Sequence, residues 1–341
     1  VLVAFRDVGT SRRCFALSAD VSVFAMPGDA GGMSVFDAET GSLWRQLDKG
    51  KRHVALALTS SGRHLFSATK TNQTQLWDLW RGVGERVLRG HGSGVVSVAL
   101  DSSCRRLASG GKDNTICIWG VKSGLLQATL FGHEGNVSSL CFSPASTIEE
   151  ESRYLLSGSW DCKVIFWDVL TFSPLCRLVG DEAAVQCVLL TEALCISASR
   201  LGRIIFWDLE KRAPRLRGDG TKWVDFDSNC RALAAARTDP QLLVVASDDQ
   251  FKISFLHAER GVIGKPLLAH EGPVTGLAFA DDDKLLLSGD LAGAVICWTV
   301  EVKSTPSAKV RVGFGAPLTK HIRSGVEALA ATADGRLLLV R

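Results

Sequence analysis

A bulky residue that closes a β-like run, often followed by Asp, recurs at Phe36, Trp77, Trp119, Trp167, Trp207, Leu256 and Trp298. The intervals between these markers are 41, 42, 48, 40, 49 and 42 residues. A repeat of this size limits the chain to stacked supersecondary units, because one unit alone cannot bury its apolar face. Inside a unit the pattern is that of short strands and turns. Val95–Leu100 alternates, 101–105 turns, Arg106–Gly111 forms a second strand and 115–121 a third; Ser123-Gly124 then turns into a fourth at 125–130. Four strands in about 40 residues, with little helical periodicity, predict an all-β chain of four-stranded antiparallel blades.

The rest of the sequence narrows the function classes. Hydrophobic residues make up 46% of the chain, enough to fill one large repetitive core. No apolar run reaches the roughly 18–20 residues that span a bilayer, so no membrane partner is expected. Residues 1–5 are too short for a signal-peptide core, and the chain starts without Met and stops at Arg341, which reads as a piece of a longer protein. With 39 basic and 36 acidic residues, the net charge of +3 gives no global attraction to nucleic acid or membrane. An electrostatic partner must be recognised by a local patch. None of the ten cysteines is spaced C-x-x-C and several lie in apolar runs, the pattern of buried free thiols in a reducing, intracellular setting, cytoplasm or nucleus.

No phosphate-binding loop, His-Glu-x-x-His pair or nucleophile elbow occurs, and the seven His are scattered. The expectation is a protein without catalytic residues, metal, cofactor or small-molecule substrate. Carboxylates meeting across blades, as in propeller hydrolases, are the one catalytic route left open.

Two adjacent units carry the most specific pattern. One has Gly90-His91, Ser109, Asp113 and Trp119; the next has Gly132-His133, Ser157, Asp161 and Trp167-Asp168. In both, Ser lies ten residues and Asp six residues before Trp. The chain here resembles the WD40 family over nearly its whole length. The resemblance implies a β-propeller in which His, Ser, Asp and Trp form a hydrogen-bonded relay within a blade. Other units depart from the pattern: Leu201 replaces the relay Asp before Trp207, Asp290 comes two residues early before Trp298, and the sixth unit has no Trp. Seven blades over 1–298 is the favoured count, with 299–325 as linker or last outer strand and 326–341 as the start of an eighth blade or second propeller; eight blades is the alternative. Residues 1–5 read as an orphan strand that could close the ring.

A propeller places its second-to-third-strand turns on one face. Counting seven residues back from each marker puts Lys70, Lys112, Trp160 and Arg200 on four successive turns, with Asp29 and Asp249 opposite. This is a basic arc with an aromatic, suited to an acidic or phosphorylated peptide, with single-stranded RNA as a second candidate. The Glu149–Glu151 run reads as a solvated or docking loop. Residues 55–79, with the preceding 15–37, are similar to the transducin-beta-like tandem-propeller proteins of the small-subunit processome, which implies ribosome biogenesis and a nucleolar location. The functional expectation is a scaffold that assembles protein partners, and RNA in the second case, within a larger complex.

Overall fold

The computed structural model is all-β. It describes residues 16–17, 23–27, 31–37, 43–300, 320–321, 328–331 and 337–340, leaving out 60, 145–151, 181, 193, 217–219, 227, 237–238, 240, 248–250, 281–284 and 291–293 within the long stretch. The described strands form six four-stranded sheets, one five-stranded sheet and a two-stranded hairpin. Each of the seven larger sheets is an antiparallel blade in chain order, from an inner strand to an outer one. The second blade has Val83–Arg89 outermost; the third is Val95–Leu100, Arg106–Gly111, Ile116–Gly120 and Leu126–Leu130; the fourth is Val137–Phe142, Tyr154–Ser159, Lys163–Asp168 and Ser173–Val179.

Burial is graded from the centre to the rim. His53–Leu58, the inner strand of the second blade, is buried at all six positions, whereas five of the first five positions of Val83–Arg89 are exposed. Inner strands are therefore near-continuous apolar runs because each is covered on both faces by neighbouring blades. The core lies between blades. Trp119 packs with Phe66, Leu76 and Leu88 of the second blade, and Trp167 with Ile118 and Leu130 of the third. A register shift recurs where third and outer strands meet, at Leu76/Trp77, Ile118/Trp119 and Phe166/Trp167. Such a bulge adds local twist at each marker and turns the outer strand toward the rim.

The fifth blade departs from the sequence reading. Its outer strand is split: Ala213–Pro214 and Trp223–Asp225 pair with opposite ends of Arg203–Asp208. The residues around Trp223 thus belong to the fifth blade's edge, ahead of the sixth blade's first strand Cys230–Ala235. Gly202 makes the crossing feasible. Its φ is +86°, and a Cβ there would collide with the carbonyl oxygens of Phe226 and Ser228.

At the end of the chain, Lys320–His321 pairs with Ala294 and Val295, so an outer strand of the seventh blade lies within 299–325. The hairpin of Ala328–Ala331 and Leu337–Val340 packs on Val274–Ala280 and Leu285–Asp290, the relation that each blade bears to the one before it. Residues 1–5 and the Glu149–Glu151 run lie outside the described residues.

Candidate functional site

The relay residues meet at one end of the third and fourth blades. The crossover from one blade to the next brings in the His, the second strand carries Ser, the second-to-third-strand turn carries Asp, and the third strand carries Trp. In the fourth blade His133 Nδ1 is 2.9 Å from Asp161 Oδ2, His133 Nε2 is 2.7 Å from Ser157 Oγ, and Trp167 Nε1 is 2.8 Å from the same oxygen. In the third blade the matching distances are 3.0 Å for His91–Asp113, 2.8 Å for His91–Ser109 and 2.8 Å for Trp119–Ser109. Proton direction follows from the groups at the ends. An ionised carboxylate only accepts and an indole only donates, so Nδ1–H donates to Asp, Ser Oγ accepts from Trp, and the Ser hydroxyl donates to Nε2.

Backbone groups complete the carboxylate's shell: Asp161 accepts from the Glu134 and Lys163 N–H groups at 2.8 and 2.9 Å. Burial pushes the Asp161 pKa up, but the His133 hydrogen bond and these two N–H groups outweigh it and hold the carboxyl down at about 2. A folded pKa below the ordinary 3.8 supplies stability that is complete above 3.8 and is lost as pH falls through about 2. Asp161→Asn should therefore remove roughly 1–2 kcal/mol at neutral pH, after discounting for solvent screening. It should also flatten the fall in the urea midpoint between those pH values.

Half-relays occur elsewhere. Trp77 and Trp207 donate to Ser67 and Ser197 at 2.9 Å, and in the seventh blade His270 and Trp298 both reach Ser288, at 2.7 and 2.8 Å. Ser67 was missed in the sequence reading, although it too lies ten residues before its Trp. The sixth blade has no such pair. Leu256 faces Leu243 there as Trp119 faces Leu107, which leaves Val245 where the others have Ser.

Asp, His and Ser in sequence look like a hydrolytic triad, and the geometry decides against it. Ser109 and Ser157 have no solvent exposure, and each hydroxyl oxygen is already occupied by an indole N–H. A nucleophile needs an open approach to its oxygen. Here the third strand fills that space. Among the described residues no group of three or more His, Cys, Asp or Glu is placed to hold a metal ion.

The exposed chemistry lies on the turns beside the relays. Lys70, Lys112, Trp160 and Arg200 occupy the second-to-third-strand turns of four successive blades, all exposed, with Trp160 at 38%. Backbone hydrogen bonds tie three of these turns to the crossovers: Lys112 N to Gly94 O, Trp160 N to Asn136 O and Arg200 N to Ala184 O, at 2.8 to 3.0 Å. Lys70 and Lys112 converge on Gly94, where a Cβ would meet the Lys70 carbonyl and the Lys112 side chain. Lys163, by contrast, is held by Glu134 at 2.7 Å, while Lys70, Lys112 and Arg200 make no ion pair among the described residues. Asp29, Asp249 and Leu291, the rest of the turn series, lie outside the described residues.

Four exposed apolar residues stand on this face, Phe131, Val179, Leu201 and Leu268, at 72%, 64%, 71% and 66%, and of these only Leu201 was marked in the sequence, as a gap in the relay. A signal was available, since Phe131 stands two residues before relay His133, a crossover position held by Arg89 in the preceding blade.

Comparison with known proteins agrees with this architecture. The family model described as WD domain, G-beta repeat matches residues 82–120, 124–168 and 262–299. A chain of the solved structure described as "Crystal Structure of Mitotic Checkpoint Complex" superposes with a TM-score of 0.70. The superposition covers 84% of this chain and 86% of that one, at 20% sequence identity. No curated protein matches in sequence. The fold is thus a β-propeller, and the chain carries WD40 repeats.

Proposed function

We propose that the chain is a non-catalytic interaction module that holds protein partners of a larger assembly on the turn face of its second to fifth blades. One observation carries this reading. Every relay His, Ser and Trp is buried and committed to the fold, while the adjacent turns in four successive blades present an exposed Trp and cations that make no ion pair among the described residues. Trp and Arg are the residue types in which interface energy concentrates. Three exposed cations in an arc suit a carboxylate-rich or phosphorylated peptide, through charge-assisted hydrogen bonds.

The joint substitution Trp160→Ala and Arg200→Ala should weaken capture of a face-bound partner by about 30-fold or more, the scale of losing one interface hot spot. The thermal midpoint should stay within a degree or two, because both side chains lie outside the core. Binding of the native chain should also weaken between 50 and 500 mM salt. Unchanged capture by the double variant removes the reading. Capture of RNA in place of a protein assigns the arc to base stacking instead.

A further inference from the structure

On the rim at the seam between the first and second blades, away from the relay turns, two tryptophans and three guanidinium groups cluster. Trp44, on the first blade's outer strand Leu43–Leu47, meets Trp80 edge-on with ring centroids 5.8 Å apart and planes at 84°. Arg45 donates to the Trp80 carbonyl and lies 5.6 Å from the Trp44 ring centre. Arg63 and Arg81 both stand 4.0 Å from Asp78 Oδ2. Trp80 is 67% exposed, and Leu43, next to Trp44, and Val83, three residues after Trp80, are each about half exposed.

The repeat itself separates what the fold needs here from what it does not. After the third strands of the second, fourth and fifth blades, an Asp Oδ1 caps the turn by accepting two backbone N–H groups. Asp78 accepts from Trp80 and Arg81, Asp168 from Leu170 and Thr171, and Asp208 from Glu210 and Lys211, all at 2.8 to 3.2 Å. The same turn thus forms with Trp-Arg, Leu-Thr or Glu-Lys, and it makes no demand on those side chains. An exposed Trp set edge-on against a second Trp is therefore surplus to folding, and large exposed apolar side chains in a cluster mark binding surfaces.

The charges point to the partner. In the fourth blade Arg153 is engaged by Asp168 at 3.2 Å. In the second, one Asp78 carboxylate, 5% exposed and already holding two backbone N–H groups, faces two guanidiniums at 4.0 Å. Both Arg63 and Arg81, exposed by 58% and 77%, keep donors available for an outside acid. The flanking side chains are aliphatic, which suits a peptide side chain better than a base, and the chain's net charge of +3 offers little general pull on RNA.

We infer that this rim is a second docking site, which takes a short acidic peptide segment of another protein with one bulky apolar side chain seated on Trp80. The site is independent of the turn-face arc. A random dodecapeptide library, pre-cleared on the Trp80→Ser variant of the 341-residue chain and then selected on the native chain, tests it. The expected result is enrichment of sequences with several Asp or Glu around one aromatic or aliphatic residue. Their affinity should fall about 30-fold with Trp80→Ser and about 10-fold with Arg81→Glu, and stay unchanged with Trp160→Ala plus Arg200→Ala. No enrichment, or a consensus without acidic residues, overturns the inference. So does oligouridylate binding that depends on Trp80, or a concentration-dependent dimer abolished by Trp80→Ser in sedimentation, which would make the occupant RNA or a second copy of the chain. Loss of binding by the Trp160/Arg200 variant with Trp80 intact would instead place the peptide on the turn face.

Discussion

Alanine in place of Trp167 should lower the unfolding free energy by about 3–5 kcal/mol, the usual cost of emptying a large core site. The indole is 1% exposed and packs among Ile118, Leu130, Val137, Leu155 and Val169, so it joins the third and fourth blades. Its loss opens a cavity between two sheets that are pinned by their own hydrogen bonds and cannot collapse freely. It also removes the donor to Ser157 Oγ and so loosens the chain to His133 and Asp161. Trp167→Phe separates the two contributions: much of the volume stays while the N–H goes, and the loss should be about 1–2 kcal/mol. Trp80→Ser, on the exposed rim, should cost under about 0.5 kcal/mol. Urea unfolding followed by circular dichroism compares all three. A loss below about 1 kcal/mol for Trp167→Ala would contradict an inter-blade core centred on the marker residues.

His53 sets the second expectation. It holds the first position of the second blade's inner strand, where the third, fourth, fifth and seventh blades have Val95, Val137, Val185 and Val274. The side chain is fully buried and neither ring nitrogen has a hydrogen bond among the described residues, although Asp48 Oδ2 lies 3.4 Å from Nε2. Burial pulls the His53 pKa down to about 4, with Lys51 adding to the effect and Asp48 opposing it. The imidazole is thus neutral in the fold at pH 7 and takes up a proton more readily when unfolded. Its contribution is complete above the ordinary 6.5 and is lost as pH falls through about 4. That window carries roughly 3 kcal/mol for a shift of this size. His53→Val should raise stability at neutral pH by about 1 kcal/mol, because it removes a buried unsatisfied polar group from a site where valine packs elsewhere. It should also abolish most of the decline between pH 6.5 and 4, leaving the carboxylate losses below pH 3.8 in place. A midpoint that still falls by the native amount over that range would show that His53 is not the titrating group.

The parts of this structure that were legible in the sequence are those fixed by strand pairing. The ten-residue spacing of Ser109 and Trp119, or Ser157 and Trp167, follows from two paired strands joined by a tight turn, and it is this spacing that carried the family resemblance from which the relay was expected. The sixth blade stayed legible without a Trp because Leu256 keeps the same pairing position. The split outer strand of the fifth blade was not. Segments of two and three residues are too short to show period-two alternation, and eight residues separate the two pieces. The Trp44–Trp80 cluster was hidden for another reason. It arises from two blades meeting at the rim, and neither residue belongs to the repeat's own pattern. The basic arc could be counted out from the markers, whereas Phe131 and Val179, at the ends of outer strands, hold positions that the relay pattern does not include.

Partner proteins are expected on the turn face. Site-specific photocrosslinking inside cells measures this directly, with benzoylphenylalanine at Leu201, exposed beside Arg200, and a control probe at Leu125, exposed on the third blade's outer edge. The account predicts one or a few discrete protein adducts at Leu201 that are absent at Leu125 and are lost with Trp160→Ala plus Arg200→Ala. Identical adduct patterns at the two positions, or none at Leu201, would contradict it.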